Sequence, residues 1–471
     1  MGQEEMDEEI IRELAKIVGD DYLTTDDADL VAYSSDVLSS AFKKPDCVVM
    51  PENAQQISEI LKLANKEKIP VIPRGGGTSE LGGCVAWRGG IIIELRRMNQ
   101  IKKIDADNLM AVVEPGVICE KLNYEAKRVD LVFPPTVPTE SVATLGGMVA
   151  SNSSGLRSAK YGATTDYVIA LEVVLADGRI VRFGKPVYKT SSGYDLVHLF
   201  VGSEGTLGIV TEITLKLKPI PKYFATAYGL FDSLEESARA VAEIVKSGIN
   251  PAGLEIVDLP TQKATNKLAK KYGGKLSEAS FPEAEGLLLF ELDGRDPAQI
   301  EADKIVLQEI AEKHGCKEII WAKNEEEREK MWFARKSVLV TLVRDKPTIL
   351  IGDCILPPSQ LPDLIRIMQD AGKKYGIKVY IIAHAADGNA HYLIPYNIND
   401  EDELKRLEAL EDEIVHKTIE LGGSVSGEHG IGQHRMKYMK PEHGESYEVM
   451  LAIKQLFDPN NILSPGTIFG E

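Results

Sequence analysis

The chain is poor in cysteine and in positive charge. Its 471 residues include five cysteines and no Cys-x-x-Cys pair. A disulfide framework and a thiolate zinc site are therefore not expected. Instead, we expect reduced thiols, as in a cytosolic protein. Lysine and arginine number 54 against 72 aspartates and glutamates, so the formal net charge is −18. This balance excludes nucleic acids and anionic membranes as partners, because both bind basic patches.

Long hydrophobic runs and targeting signals are also missing. No apolar run approaches the roughly 20 residues that span a bilayer. The start, Met-Gly-Gln-Glu-Glu-Met, is acidic and lacks the apolar core of a signal peptide. It begins like a myristoylation site, but position 6 is Met rather than Ser or Thr. We expect a cytoplasmic protein without a transmembrane segment, which could lie at a membrane only through a partner.

The pattern of apolar residues predicts an α+β protein. Length alone suggests roughly two to four domains. The first half contains several strands and a strand–helix–strand unit over 47–73. After Pro219-Ile-Pro221, which reads as a linker, four long helical patterns follow at 234–247, 297–313, 361–375 and 402–421. Strands between these helices predict a second α+β domain with helices over a sheet.

Two histidines flank an Asp-Gly pair within a short apolar stretch. Asp387-Gly388 between apolar runs is a strong signal for a two-residue hairpin turn. With that turn, His384 would lie directly opposite His391, with Cβ atoms roughly 4.5–5.5 Å apart. Glu428 and a third histidine follow in Gly-Ser-Val-Ser-Gly-Glu-His-Gly. Two histidines and a carboxylate suit Zn, Mn, Fe or Co, although a lone histidine on an apolar strand is usually structural.

Three glycine-rich segments, 74–83, 144–155 and 200–211, lie in the first half. In the first, consecutive glycines at 75–77 let backbone N–H groups point into one concavity that binds phosphate oxygens. It is not a Rossmann fingerprint, because Glu80 occupies the third glycine position, and no Gly-Lys-Ser/Thr follows as in a Walker loop. Alone, this loop is equally consistent with a plain surface loop. Three such segments together indicate close backbone approach to a long ligand.

These segments closely resemble those of the FAD-linked oxidases of the vanillyl-alcohol oxidase/p-cresol methylhydroxylase superfamily, over about 51–469. The chain looks most like the branch that holds D-lactate dehydrogenases, the glycolate oxidase flavin subunit and D-2-hydroxyglutarate dehydrogenase. The resemblance implies a two-subdomain PCMH-type FAD-binding domain over 1–220. It also implies an α+β substrate (cap) domain with an antiparallel sheet over 221–424, and a C-terminal segment, 425–471, that returns to the flavin.

The resemblance also implies which residues contact FAD. In the family, the first segment holds the pyrophosphate, the second lines the cofactor and the third touches the adenosine end. The implied FAD-binding residues are Arg74, Gly75, Gly76, Gly77, Thr78, Ser79, Pro138, Thr144, Gly146, Gly147, Ser151, Asn152, Gly155, Glu204, Gly205, Gly208, Ile209 and Val210. Covalent relatives carry a histidine in the first loop, and none is present here, so non-covalent FAD is expected. One departure is Ser464-Pro-Gly-Thr467, where family members often have Asn-Pro-Gly-Lys.

The family's His-x-x-Asp-Gly-Asn-x-His and Gly-Glu-His-Gly patterns are both present. They imply that His384, His391 and Glu428 hold a divalent metal and that His429 is the catalytic base. Oxidation of a 2-hydroxy acid removes the hydroxyl proton and moves a hydride from C2 to flavin N5. A metal lowers the pKa of that hydroxyl, and a neutral histidine can then accept the proton near pH 7.

The substrate carboxylate also requires a cation. Arg335 is the candidate, because a planar guanidinium binds a carboxylate bidentately, and a surface charge on a helix is the alternative. Asn389 either contacts substrate or closes the turn. Relatives that oxidise dicarboxylates tend to carry a lysine two positions before the aspartate that corresponds to Asp353. Ile351 stands there, which favours a small monocarboxylate such as D-lactate or glycolate.

Several alternatives stay open at this point. They are a D-2-hydroxyglutarate-type dehydrogenase, a non-catalytic FAD-binding subunit, a non-redox transferase resembling alkylglycerone-phosphate synthase, and a purely structural metal site. No NAD motif is visible. The electron acceptor could equally be a quinone, a cytochrome, an electron-transfer flavoprotein or an iron–sulfur partner. A homodimer and a heteromeric complex with electron-transfer subunits are both compatible with the sequence.

Overall fold

The chain folds into two compact units. A computed structural model describes residues 6–37 and 42–470. Unit 1 contains the residues before Gly155, residues 163–220 and the residues from Glu428 onward, and unit 2 contains residues 155–162 and 221–427. Residues 155–162, which the sequence analysis included in the first domain, are thus in unit 2. The expected lack of a signal peptide rests partly on residues 1–5, which lie outside the described residues.

Strands and helices are numbered along the described part of the chain. The strands are β1 Leu23–Thr24, β2 Cys47–Val49, β3 Val71–Arg74, β4 Ile91–Glu94, β5 Ile101–Asp105, β6 Met110–Val113, β7 Leu131–Val132, β8 Val168–Val174, β9 Ile180–Gly184, β10 Ile209–Lys216, β11 Lys218–Pro219, β12 Tyr223–Phe231, β13 Gly253–Asp258, β14 Gly286–Gly294, β15 Cys316–Trp321, β16 Thr348–Ile351, β17 Cys354–Ile355, β18 Tyr380–His384 and β19 Asn389–Tyr396. The helices are α1 Glu8–Val18, α2 Asp27–Ala32, α3 Ala54–Glu67, α4 Cys119–Ala126, α5 Leu145–Ser151, α6 Ser158–Tyr161, α7 Leu196–Phe200, α8 Leu234–Lys246, α9 Leu259–Tyr272, α10 Pro297–Lys313, α11 Glu325–Leu342, α12 Leu361–Tyr375, α13 Glu401–Glu420, α14 Met439–His443 and α15 Glu445–Phe457.

Two larger sheets form the core of unit 1. The first has the order β1–β2–β4–β3, with β2, β4 and β3 parallel. Helix α3 joins β2 to β3, so the predicted strand–helix–strand unit is present, with β4 between its two strands. β2 and the first three residues of β4 are buried apolar runs, as expected for parallel strands covered on both faces. The second sheet, β5–β6–β10–β8–β9, is antiparallel, and Asp177-Gly178 lies in the turn between β8 and β9.

The C-terminal segment packs within unit 1. Val71 N donates to Ile462 O at 2.7 Å, and Ser464 N donates to Val71 O at 2.9 Å, so this segment covers the open edge of β3. The buried Lys454 of α15 donates to Leu463 O at 2.8 Å. These bonds join the last residues of the chain to a strand formed almost 400 residues earlier.

Unit 2 contains one eight-stranded antiparallel sheet. Its order is β15–β12–β14–β13–β18–β19–β16, and β17 pairs with β19. Every residue of β13, β18 and β19 is buried. Buried carboxylates nevertheless occur on the central strands, at Glu255, Glu291 and Asp293. Since a buried charge is costly unless it is paired, these three positions identify where polar networks must lie in the sheet.

Neither a membrane-spanning helix nor a disulfide occurs among residues 6–37 and 42–470. Within residues 6–37 and 42–470, no helix combines the length and the hydropathy that a membrane span requires. None of the five cysteines forms a disulfide, and all five are buried. Burial raises the pKa of the Cys84 thiol to about 12, so this thiol is neutral near pH 7.

Candidate active site

The first two glycine-rich segments pack directly against each other in unit 1. A Cβ added at Gly75 would lie 2.1 Å from Thr144 Oγ1, and one at Gly76 would lie 2.3 Å from Val142 O. Only glycine permits such a close approach. Thr144 is the N-cap of α5, and its hydroxyl accepts a hydrogen bond from Gly147 N at 3.3 Å. The two segments therefore place a glycine loop beside a helix N-terminus.

The third segment packs against the same region. Glu204 N donates to Ala150 O in α5 at 2.8 Å. A Cβ added at Gly205 would lie 2.4 Å from Pro73 Cγ at the end of β3. All three predicted segments, apart from Gly155 at the end of the second, thus come together within unit 1.

The other predicted FAD-binding residues have varied surroundings. Arg74 donates to Ser35 O at 2.9 Å, so its guanidinium is bound by the protein itself. Asn152 Oδ1 accepts from Thr165 N at 2.9 Å. The remaining positions lie in loops, in α5 (Gly146 and Ser151), at the start of β10, or, for Gly155, in unit 2: Gly77, Thr78, Ser79, Pro138, Gly146, Ser151, Gly155, Gly208, Ile209 and Val210.

A buried hydroxyl in unit 1 fits a bound cofactor. Ser464 Oγ is inaccessible to solvent and has no hydrogen-bond partner among residues 6–37 and 42–470. It lies 3.2 Å from where a Cβ on Gly205 would stand. Leaving a buried hydroxyl unsatisfied is unfavourable, so a ligand atom is expected there. The orphaned hydroxyl and the glycine-lined loops together fit non-covalent FAD.

The carboxylate of Glu204 anchors the loop that follows the predicted base. Glu204 Oε1 accepts from Ile431 N at 2.7 Å and Oε2 accepts from Gly432 N at 2.8 Å. Burial raises the pKa of Glu204 from its ordinary 4.5 to about 7, while the two N–H groups partly oppose this shift. This predicted FAD contact therefore also fixes the backbone two residues beyond His429.

Glu204→Gln is expected to remove a pH dependence of stability. Between pH 4.5 and about 7, the folded protein keeps a proton on Glu204 that the unfolded chain has lost. The free energy of unfolding of the wild type should therefore fall as pH rises from 5 to 8, by up to about 3 kcal/mol relative to the variant. Urea unfolding of flavin-free protein at both pH values measures this difference. A wild-type-to-variant difference independent of pH would contradict it.

The predicted base has an acidic neighbour that sequence reasoning missed. In unit 1, His429 Nδ1 lies 3.3 Å from Glu80 Oε2, and His429 Nε2 lies 3.7 Å from Glu428 Oε1. Ser154 Oγ donates to Glu428 Oε2 at 3.2 Å. In the sequence, Glu80 stands out only as a non-glycine at the third glycine position of a would-be Rossmann fingerprint, and no local signal connects it with a histidine 349 residues later.

The predicted register of the histidine hairpin is wrong. His384 pairs with Asn389, and His391 pairs with Ile382. A four-residue connection separates the strands: a 3-10 turn over Ala385–Asp387 and then Gly388. The two histidines are diagonal neighbours rather than direct partners, yet they remain on one face of the sheet. Their ring centroids are 5.1 Å apart and their planes are nearly perpendicular, at 80°.

Packing of β17 explains the longer connection. Leu356 N donates to Gly388 O at 3.1 Å, and Ile355 pairs with Asn389. A Cβ at Gly388 would lie 1.9 Å from Leu356 O. The glycine is therefore needed for the close approach of Leu356, the residue that follows β17, and not for a two-residue turn.

Gly388→Ala is expected to lower the free energy of unfolding by about 3 kcal/mol, among the larger effects of single substitutions. The added Cβ would overlap Leu356 O, and the φ of +79° is in the left-handed region. Gly248→Ala is the control: its φ is +86° with nothing within 4 Å, so only about 1 kcal/mol should be lost. Urea unfolding of both variants measures the difference, and equal losses would contradict the steric explanation.

Both histidine rings are held through Nδ1. His384 Nδ1 lies 2.7 Å from Glu255 Oε1, and His391 Nδ1 lies 3.3 Å from Gly352 O. A carboxylate and a carbonyl oxygen accept hydrogen bonds, so Nδ1 carries the hydrogen in each ring. Nε2 is then the unprotonated nitrogen of both rings, and an unprotonated imidazole nitrogen is the form that ligates a metal. Two buried imidazoles fixed in this tautomer fit a divalent transition metal.

Glu255 also contacts the predicted substrate residue. Arg335 Nη2 lies 2.6 Å from Glu255 Oε2, and Arg335, Glu255 and His384 are only 4%, 1% and 5% exposed. Arg335 is therefore not a surface charge on α11. Its Nε has no hydrogen-bond partner within the described part of the chain, so a donor is present for a ligand carboxylate.

In unit 2, Asp353 contacts both Asn389 of the histidine hairpin and Gly427. Its Oδ1 accepts from Asn389 Nδ2 at 2.6 Å, and its Oδ2 accepts from Gly427 N at 2.8 Å. Asn389 Nδ2 also donates to Cys354 O at 3.1 Å. The amide nitrogen of Asn389 is thus engaged in structural bonds. Glu428 is the next residue along the chain after Gly427.

Comparisons with known proteins identify two domains. Residues 45–184 match the FAD binding domain, and residues 220–468 match the C-terminal domain of the FAD linked oxidases. Among curated proteins, the chain is 38% identical to glycolate oxidase subunit GlcD of Bacillus subtilis, covering 98% of this chain and 97% of that protein. It is 35% identical to a D-lactate dehydrogenase of Anaerostipes hadrus, covering 90% of each chain.

A solved structure supports the fold. p-Cresol methylhydroxylase with bound substrate superposes with a TM-score of 0.81 at 18% identity, covering 97% of this chain and 96% of that one. The predicted family resemblance and the PCMH-type α+β fold are both confirmed. Since a family model covers more than half of its length and close relatives align over nine-tenths or more, the chain belongs to the FAD-linked oxidases.

Proposed function

We propose that this FAD-linked oxidase is a metal-dependent dehydrogenase that converts a small D-2-hydroxy acid, D-lactate or glycolate, to the 2-oxo acid. The observation that carries the proposal is the buried His384–His391 pair, with Nδ1 of each ring held by an acceptor. The names of the relatives, a glycolate oxidase subunit and a D-lactate dehydrogenase, support the substrate class.

Each residue has a distinct role in the proposed reaction. When bound, FAD supplies the hydride acceptor and a divalent metal (Zn, Mn, Fe or Co) supplies the Lewis acid that makes the substrate hydroxyl more acidic. His384, His391 and Glu428 hold the metal. Arg335 binds the substrate carboxylate. His429 accepts the hydroxyl proton at Nε2, since Nδ1 faces Glu80.

The position of Ile351 supports a monocarboxylate over a dicarboxylate. Ile351 is a buried apolar residue of β16, two positions before Asp353. It cannot neutralise a second carboxylate as a lysine would. 2-Hydroxyglutarate is therefore the weaker candidate substrate.

Reoxidation of the flavin requires a separate acceptor. We propose that a partner protein or a quinone accepts the electrons of a cytoplasmic enzyme.

A rapid-mixing experiment tests the proposal. Under anaerobic conditions, the yellow protein should lose its flavin absorbance with D-lactate or glycolate much faster than with D-2-hydroxyglutarate or L-lactate. Acid precipitation should release free FAD. A flavin that is reduced by none of these acids would overturn the proposed reaction and favour a non-redox or non-catalytic role. Preferential reduction by D-2-hydroxyglutarate would overturn the substrate assignment.

A further inference from the structure

The strongest unexplained feature is the buried triad Arg335–Glu255–His384. Glu255 lies on β13 directly opposite His384 on β18. One carboxylate oxygen is 2.7 Å from His384 Nδ1, and the other is 2.6 Å from Arg335 Nη2. All three side chains belong to unit 2.

Glu291, another buried carboxylate of the same sheet, provides a comparison with Glu255. Glu291 on β14 accepts hydrogen bonds from two arginines, from Trp332 Nε1 at 2.6 Å and from Thr226 Oγ1 at 2.8 Å. All of these partners are hydrogen-bond donors whose protonation does not change near pH 7. Glu255 differs, because one of its partners is an imidazole whose tautomer depends on what Nδ1 faces.

We propose that Glu255 is a positioning residue that selects the metal-binding tautomer of His384, with Arg335 keeping the carboxylate in place. The inference rests on the proposed metal site and adds a function for a residue outside the ligand set. Accepting from Nδ1–H leaves Nε2 unprotonated toward the metal. Carboxylates behind ligating histidines have this effect in many metal sites.

Replacing the carboxylate by an amide should reverse this selection. Arginine offers only donors, so the oxygen of Gln in Glu255→Gln turns toward Arg335 and its NH₂ faces His384. An NH₂ group requires an acceptor at Nδ1, which moves the ring hydrogen to Nε2 and blocks metal binding. We expect Glu255→Gln to weaken Mn²⁺ binding by about 10- to 100-fold.

Removing Arg335 from that variant should restore metal binding. In Glu255→Gln/Arg335→Met no donor competes for the amide oxygen, which can again accept from Nδ1–H. The double variant removes both buried charges of the Glu255–Arg335 pair together, so it is the form best expected to fold. Glu255→Leu/Arg335→Met is equally neutral but has no acceptor, and its affinity should stay low.

The test is Mn²⁺ titration followed by EPR, which counts free Mn²⁺ in the presence of oxidised flavin. Metal-stripped flavoprotein is used, and visible absorption verifies that each variant retains FAD. Glu291→Gln is the matched control; it should lose stability but bind Mn²⁺ within about threefold of the wild type, because Glu291 contacts arginines instead of a proposed ligand.

The outcomes separate the two hypotheses. Wild-type protein that binds neither Mn²⁺ nor Zn²⁺ would overturn the metal proposal and this inference together. If the wild type binds metal and Glu255→Gln binds Mn²⁺ with the same affinity, the inference alone is overturned. If Glu255→Gln does not fold, the two double variants decide: equal Mn²⁺ affinities overturn the inference, and a tenfold or greater advantage for the Gln variant supports it.

Discussion

Replacing His391 by alanine is expected to slow flavin reduction by the hydroxy acid by about 10³-fold or more, while FAD stays bound. His391 is one of only two imidazoles in the proposed ligand set, and its ring is buried with Nδ1 on Gly352 O. Without the metal, the substrate hydroxyl keeps a pKa far above that of histidine, so proton removal becomes unfavourable. Anaerobic stopped-flow absorbance at the flavin maximum measures the rate.

Two controls make this result specific. His416→Ala changes an exposed histidine on α13 of the same unit and should leave the rate unchanged. Treatment of the wild type with a chelator should reproduce the loss, and added Zn²⁺ or Mn²⁺ should restore activity to the wild type but not to His391→Ala. A fully active His391→Ala protein would eliminate the metal mechanism.

The second large loss of activity is expected on replacing His429, the proposed base. His429→Ala should slow flavin reduction by about 10²- to 10⁴-fold, the usual contribution of a positioned general base. Metal content and FAD content should both be retained, because His429 belongs to neither proposed ligand set. The pattern thus differs from His391→Ala, which loses its metal. Stopped-flow reduction combined with elemental analysis of the same samples distinguishes the two.

His443→Ala is the matched control for this experiment. His443 also lies in the C-terminal part of unit 1, at the end of α14, and its nearest acidic group is its neighbour Glu442 at 3.7 Å. Normal reduction by His429→Ala would show that another group accepts the proton. Loss of FAD in His429→Ala would show instead that the residue has a structural role.

Helices with strong boundary signals could be predicted closely from the sequence. Helix α10 begins at Pro297 after the N-cap Asp296, and α12 ends before Gly376, as predicted. The bounds of helix α11, in contrast, could not be predicted from the sequence. Its buried residues include Met331, Trp332, Ala334, Arg335 and Val338, so several sides of the helix face the protein and no clear apolar stripe is present.

In the candidate site, too, only residues within local sequence patterns could be predicted. Local motifs located the two hairpin histidines, Glu428 and His429, because those residues stand in short recognisable patterns. The hairpin connection contacts a distant segment: Ile355 of β17 pairs with Asn389, and Leu356, which follows β17, packs against Gly388. The partnership of Glu255 with His384 spans 129 residues. A carboxylate inside the apolar strand Gly253–Asp258 was the available signal, and it indicates a buried partner without saying which one.

The pairing of the C-terminal segment with β3 has a consequence for how this chain can be divided. Neither unit is one continuous stretch, since the polypeptide passes between them at residues 154/155, 162/163, 220/221 and 427/428. A recombinant fragment that stops at residue 220 would lack Ile462 and Ser464, which bond to Val71. An unprotected parallel edge is a template for self-association. Chimeras that exchange one half between relatives therefore need to transplant noncontiguous pieces together, with residues 428–470 accompanying the N-terminal half.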